Sequence, residues 1–395
     1  LHATINPVIV GRINGEDTTA RRPIPDGSTR GAVLMKYRPY GSTGLEISEI
    51  VFGAGAVGGI LIDADDETRR TAVRTAVAAG INWIDTAASY GQGRSEMALG
   101  WLLKEVRAEE QPYLSTKFSI DPEQGDIPGQ VEHSMHESLE RLQRDSVDVF
   151  QLHNRVSEER GWFPGSVAVD DLLGKGGVAD GLQRLVDQGL TRFIGFTATG
   201  ESSALHRVIE SERFNSAQVY YNLLNPSSGR AVPSDWPAYD FGNIIDKCAA
   251  HEVAVMNIRV LAAGVIATDV RHGRESPVAP GGDVPADEAR TKLIVEALGD
   301  SQGTRAQLAV RYALSNPNVS GVLVGMAELD HLEQALGAQE LGPLSDEVLD
   351  AIHALVDTDF GRLSRYRDRQ ISIEAFRNHF GARNKSGREK EAASA

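Results

Sequence analysis

Short apolar runs recur eight times along the chain, and segments of helical periodicity lie between most of them. The runs fall at 47–52, 81–84, 113–116, 147–152, 191–196, 217–221, 253–258 and 321–324. Residues 66–79 set Ala72, Val73, Ala76 and Val77 at helical spacing. Residues 95–106 do so with Met97, Leu99, Leu102 and Leu103, and residues 131–142 with Met135, Leu139 and Leu142. Strands alternating with helices form a parallel sheet covered by those helices, and eight repeats predict a closed α/β barrel, the (β/α)8 or TIM barrel. The stretches 154–177, 222–242 and 264–288 are longer than a minimal connection. On a barrel, long loops after strands build the mouth where ligands bind.

The ends read differently from this repeat. Residues 1–34 show no periodicity and lack the apolar core of a secretory signal. The first methionine is Met35, so the natural start is expected there, with 1–34 a mobile leader or added sequence. Residues 35–357 are expected to form the barrel and 358–395 a C-terminal segment partly packed near its mouth, mobile at the end. Within that segment Arg362, Arg365 and Tyr366 could close over the site. A net charge of −15 argues against a general nucleic-acid binder. No apolar run approaches the length of a membrane span. A single cysteine, Cys248, permits no intrachain disulfide and suits a reducing, cytoplasmic compartment. Nothing in the sequence sets an oligomeric state.

Functional side chains on such a barrel project from the C-terminal ends of strands. Asp85 ends the run after Ile84, Tyr90 follows on a small-residue loop, Lys117 ends the third run and His153 the fourth. Each alone could be a cap or a solvated charge. At three successive strand ends they match what hydride transfer to a carbonyl requires. Negative charge develops on the carbonyl oxygen as hydride arrives, and a positioned donor must quench it. A free phenol has a pKa near ~10, too high for easy donation at neutral pH. An adjacent ammonium, Lys117, would stabilise the phenolate. Asp85 would hold Lys117 charged and aimed, and His153 would bond the carbonyl oxygen. This chemistry needs no metal. His133 and His136 have ligand-pair spacing but no evident third partner, and read as a solvated face. Trp162, Phe163, Trp236 and Tyr239 could line a pocket or merely pack loops, and Cys248 reads as core.

These residues also carry a resemblance. Residues 37–45 look like the opening hairpin of the aldo-keto reductases, 85–91 resemble their Asp-Thr-Ala-x-x-Tyr-Gly signature, and 138–142 with 147–153 are similar to their second signature. The likeness runs from about Met35 to about Asp357. It implies catalytic roles for Asp85, Tyr90, Lys117 and His153, and a nicotinamide cofactor lying across the mouth, NADPH by default with NADH possible. It places Thr197 and Gln218 at the nicotinamide amide, although Ala198 stands where the family has Asn. It puts Ile258 where an aromatic ring commonly stacks, and Arg259 near the pyrophosphate, in a stretch that continues through Leu261 to Gly264. It assigns Gly325, Met326, His331 and Gln334 to the adenosine half, with His331 the basic candidate for a 2′-phosphate and Glu328 an opposing charge. The implied substrate is a small carbonyl compound or sugar. The departures at Ala198 and Ile258 motivate an alternative, a cofactor-binding regulatory or scaffold protein of the kind set by potassium-channel β subunits, which resemble this family.

One rival motif remains. Residues 53–58 read Gly-x-Gly-x-x-Gly after a strand, the fingerprint of an open dinucleotide-binding sheet and of a dehydrogenase built on it. In that fold a helix starts on the glycines. Here residues 59–65 intervene and Asp65 or Asp66 is the better helix start, so in the barrel reading the glycines form the first loop, with Gly55 close to the nicotinamide ribose.

Overall fold

The computed structural model describes residues 35–357 apart from 56, 237, 272, 274 and 276–282. The expected leader and the C-terminal segment, including Arg362, Arg365 and Tyr366, lie outside the described residues. The chain enters through a hairpin of β1 (Tyr37–Pro39) and β2 (Glu46–Ser48), paired antiparallel. The strands that follow are β3 (Ile50–Gly53), β4 (Trp83–Asp85), β5 (Tyr113–Phe118) and β6 (Val147–Leu152). After a small parallel pair, β7 (Val156–Ser157) and β8 (Val167–Ala168), come β9 (Thr191–Ala198), β10 (Ser216–Tyr220), β11 (Ala254–Ile258) and β12 (Gly321–Gly325). All but the hairpin and the small pair close into one eight-stranded parallel barrel, in chain order, with β12 returning to β3. This is the expected (β/α)8 fold.

The run 47–52 is not one strand. The chain turns at Glu49, so Ile47 belongs to the hairpin and Ile50 opens the barrel. Glu49 holds Arg38 at 2.8 Å, and the same guanidinium donates to the carbonyls of Leu314, Asn316 and Val319. The hairpin thereby docks on the barrel's N-terminal end. There Tyr40, Leu45 and Ile47 pack with Val51, Trp83, Val149, Ala254 and Met256, side chains from early positions of four strands. That plug makes the N-terminal end a packed core and leaves the other end for chemistry.

The helices follow their apolar stripes. Asp65 caps the helix Asp66–Ala78 by accepting the N–H groups of Glu67 and Thr68 at 3.0 Å. The helix Arg94–Leu102 buries Ser95, Ala98, Leu99 and Leu102, an i, i+3, i+4, i+7 stripe. Met97 lies off that stripe and is 45 % exposed, contrary to its grouping with the apolar positions. The long stretch after β6 is more ordered than a loop, since it contains β7, β8 and the helix Val169–Leu173.

The open-sheet reading of residues 53–58 is overturned. The sheet is closed, and the helix directly after the glycines, Ile60–Asp63, is a single turn ahead of the Asp65-capped helix. The glycines serve packing instead. A Cβ on Gly58 would lie 2.4 Å from the carbonyl oxygen of Met326, and Ile60 N–H donates to that oxygen at 3.0 Å. The first and last strand-end loops meet along this backbone contact.

Candidate active site

Parallel register decides which strand ends meet at the mouth. Gly53 pairs with Asp85, Lys117 with Gln151, and Thr197 with Gln218. The loop after β4 is laced to β5, because the N–H groups of Thr86 and Ala88 donate to the carbonyls of Ser115 and Lys117 at 2.9 and 3.1 Å. A tight turn, Tyr90 N–H to Ala87 O at 3.1 Å, then swings Tyr90 back over the lysine. Gly91 follows with φ 60°, a conformation that glycine adopts freely.

Asp85 and Lys117 are each about 1 % exposed. The lysine Nζ donates to Asp85 Oδ2 at 2.5 Å, to Thr86 O at 2.8 Å and to Tyr90 Oη at 3.2 Å, which uses all three of its hydrogens. The other carboxylate oxygen, Oδ1, accepts from Ser115 Oγ at 2.7 Å, Gln218 Nε2 at 2.7 Å and Gln151 Nε2 at 3.3 Å. A buried ion pair costs desolvation unless hydrogen bonds satisfy its remaining capacity, and these do. Burial works against the charge on Lys117, but Asp85 and the phenol oxygen outweigh it, and the ammonium titrates above its ordinary value.

His153 follows β6 and stands edge-on to Tyr90, ring centroids 5.7 Å apart at 82°. Burial first, then the charges of Lys117 and Arg155, push its pKa down to about 3. The ring is neutral near pH 7. Its Nδ1 lies 3.4 Å from Ser89 Oγ. If Nδ1 accepts there, the tautomer assigned from that contact carries its hydrogen on Nε2. A phenol beside a buried ammonium and a neutral imidazole can protonate an oxygen on which negative charge is developing.

The structure brings the other sequence-chosen positions to the same face, with different engagements. A Cβ on Gly55 would lie 3.8 Å from the Tyr90 ring, so this glycine borders the phenol. Thr197 Oγ1 is buried and has no hydrogen-bond partner among the described residues, next to Gln218 in the register. Gln218 itself donates to Asp85, a contact the sequence reading did not foresee. Ala198 is buried in the core and offers no donor. Ile258 ends β11 and Arg259 follows with φ 60°. Leu261 leads into a turn in which Ala262, Ala263 and Gly264 have φ 47°, 59° and 97°, and Gly264 N–H donates to Leu261 O at 2.8 Å. Non-glycine residues held at positive φ are strained and concentrate at functional loops. Gly325 ends β12, and buried Met326 meets Gly58. His331 Nδ1 accepts the Ala327 N–H at 3.1 Å, and Gln334 Oε1 accepts from Thr304 Oγ1, the cap of the helix Arg305–Leu314, at 2.8 Å. These last two side chains are thus partly occupied by the scaffold.

Ser115, Gln151 and Arg155 were missed. Ser115 and Gln151 sit two residues before Lys117 and His153, and a period of two puts such residues on the same face of a strand. A polar residue at that offset, two positions before a chosen strand-end group, was the available signal. Tyr220, which ends β10 in register with Ile258, places an aromatic ring near the position where Ile258 lacks one. His133 and His136 are 75 % and 59 % exposed and face Glu137 and Glu132, a solvated surface. Cys248 is fully buried.

The model of the Aldo/keto reductase family matches residues 49–357. The chain belongs to the aldo/keto reductase family. It is similar to an L-galactose dehydrogenase of Arabidopsis thaliana, at 27 % identity over 82 % of this chain and 95 % of that protein. It is 32 % identical to an aldo-keto reductase of Bacillus subtilis over 41 % of this chain and 46 % of that one. In fold it is similar to an aldo-keto reductase from Bacillus halodurans solved in a holo form, with TM-score 0.62 and 22 % identity over 81 % of this chain and 96 % of that one. This aldo/keto reductase is accordingly an NAD(P)(H)-dependent oxidoreductase.

Proposed function

We propose that the chain reduces an aldehyde or ketone with NADPH, or oxidises a sugar or alcohol in reverse, and that Tyr90 Oη is the atom that gives or takes the proton. The observation that carries this reading is the bridge made by Lys117 Nζ between Asp85 Oδ2 and Tyr90 Oη. Since Tyr90 Oη accepts from Lys117, its own hydrogen is left to donate. When that proton moves to substrate, the negative charge on the phenol oxygen faces a buried ammonium 3.2 Å away. Neutral His153 orients the substrate oxygen toward Tyr90 by donating a hydrogen bond. Ser115, Gln151 and Gln218 hold Asp85, which keeps Lys117 aimed.

The nicotinamide cofactor, when bound, supplies or accepts the hydride. The residues present fit it. The unpartnered, buried Thr197 hydroxyl beside Gln218 suits a carboxamide, Gly55 leaves room beside Tyr90, and Arg259 offers a cation at the strained turn that ends at Gly264. Gly325, Met326, His331 and Gln334 would border the adenosine half. NADPH is favoured by His331, and Glu328, exposed at the same helix start, opposes it. The sugar direction is supported by the relative named for L-galactose. Among the described residues no helix is long and apolar enough to cross a membrane, and the one cysteine suits a reducing compartment, which supports a cytoplasmic setting.

Protein starting at Met35 should quench and shift nicotinamide fluorescence on titration with NADPH, and with NADH more weakly, and should then turn over members of a panel of aldehydes, ketones and sugars. Failure to bind either nucleotide up to about 1 mM, the upper end of ordinary Michaelis constants, would overturn the reading. Binding without turnover would instead support a cofactor-binding scaffold on the same barrel. Ala198 and Ile258 point that way, as does 23 % identity to a probable voltage-gated potassium channel subunit beta of Oryza sativa.

A further inference from the structure

Arg155 is a cation at the mouth with no carboxylate partner among the described residues. It lies two residues past His153, and its guanidinium stacks on the Phe163 ring 3.8 Å from the centroid. Its Nε is buried without a hydrogen-bond partner, and no carboxylate among the described residues pairs with it. Arginines that flank this loop region behave otherwise. Arg160 is held by Asp171 and Glu123, and Arg207 by Glu158. The charges around Arg155 are repulsive, since Arg259 acts on it and it acts on His153. A protein with net charge −15 has ample carboxylates to spend on a surface arginine. Leaving one bare beside the reacting face, and fixing its plane on an aromatic ring, costs stability and prepares a planar fork for an incoming anion.

We propose that Arg155, braced by Phe163, is a substrate-specificity residue that binds a carboxylate carried by the carbonyl substrate, so that the preferred substrates are aldehydes or ketones bearing an acid group. This rests on the oxidoreductase reading above. An anion at the same fork could also come from the cofactor's phosphates, and the test separates the two.

Wild-type protein and Arg155→Met are compared on 4-carboxybenzaldehyde and benzaldehyde, with cofactor affinity measured for both proteins and binding of terephthalate, an unreactive dicarboxylate, measured by calorimetry on the cofactor-loaded protein. Wild type should prefer the carboxylated aldehyde in kcat/KM by on the order of 10- to 100-fold, the worth of a charge-assisted hydrogen-bonded pair. Arg155→Met should collapse that ratio toward one, chiefly through KM, and weaken terephthalate by a similar factor. Arg155→Lys should restore part of it, because a point charge lacks the fork. No preference in wild type, or a preference that survives Arg155→Met, overturns the proposal. So does a loss of cofactor affinity in Arg155→Met that lowers both aldehydes equally, which assigns the residue to the cofactor. If neither aldehyde reacts, the reaction reading fails on its own, and terephthalate binding that depends on Arg155 still upholds the anion site while its absence removes it.

Discussion

Replacing Tyr90 with Phe removes one oxygen and almost nothing else. The hydroxyl accepts one hydrogen bond from Lys117, at 3.2 Å, and Lys117 keeps Asp85 at 2.5 Å and Thr86 O at 2.8 Å. The loss in folding stability should therefore stay within about 1 kcal/mol, the net worth of a single hydrogen bond. The ring remains edge-on to His153 and beside Gly55, and none of the proposed cofactor positions hydrogen-bonds the hydroxyl among the described residues. Cofactor affinity should stay within about twofold of wild type, since no contact to it is lost. Turnover should fall by about 10²- to 10⁴-fold, the contribution of a positioned proton donor, or roughly 3–5 kcal/mol in the barrier. Lys117→Met gives the contrast. It strips the cation from a buried carboxylate, a change that costs about 3–5 kcal/mol, with the lower end expected because Ser115, Gln151 and Gln218 still hold Asp85. The assay is steady-state reduction of an aldehyde, nucleotide titration and a urea midpoint on each variant. Turnover in Tyr90→Phe within about threefold of wild type would refute proton donation by this residue. A stability loss of several kcal/mol there would show that the hydroxyl is structural.

Further outcomes follow from the same contacts. His153 titrates near 3 when folded and near 6.5 when unfolded, so between these values the unfolded chain binds the extra proton and stability rises with pH. Wild type should lose up to about 1.4 kcal/mol per pH unit more than His153→Gln on acidification from pH 6 to 4, and parallel urea midpoints for the two would contradict this. Gly58→Ala drives a methyl against the Met326 carbonyl and should cost about 1–3 kcal/mol. Gly55→Ala meets only the Tyr90 ring at 3.8 Å and should fold normally, so equal melting temperatures for the two variants would be inconsistent with the loop contact. Glu328→Arg exchanges an exposed charge beside the proposed 2′-phosphate site and should shift the NADPH to NADH affinity ratio by about 3- to 10-fold toward NADPH. A ratio unchanged at low salt would place the phosphate elsewhere.

The barrel and the four side chains proposed for the chemistry were legible because the strands are periodic and those residues sit at or just after the ends of their runs. Apolar runs ended by Asp85, Lys117 and His153 declare strands and their ends at once. The split at Glu49 was not legible, since Ile47 and Ile50–Phe52 are equally apolar and only pairing separates hairpin from barrel. Met97 was misplaced by composition, where helical spacing would have set it outside. Residues 53–58 matched a motif whose meaning depends on whether the sheet is open or closed, and that is a property of all eight strands together.

Local patterning therefore determined the kinds of elements, their order and the identity of the groups at the strand ends, because side-chain periodicity and strand termination are short-range properties. Closure of the sheet decided everything that depends on register. It set Gln218 and Gln151 on Asp85, aimed Lys117 at Tyr90, seated Gly58 against Met326, and left Arg155 facing the mouth without a counter-charge among the described residues. Such contacts join residues tens to hundreds of positions apart, and their energies exist only once the strands are side by side.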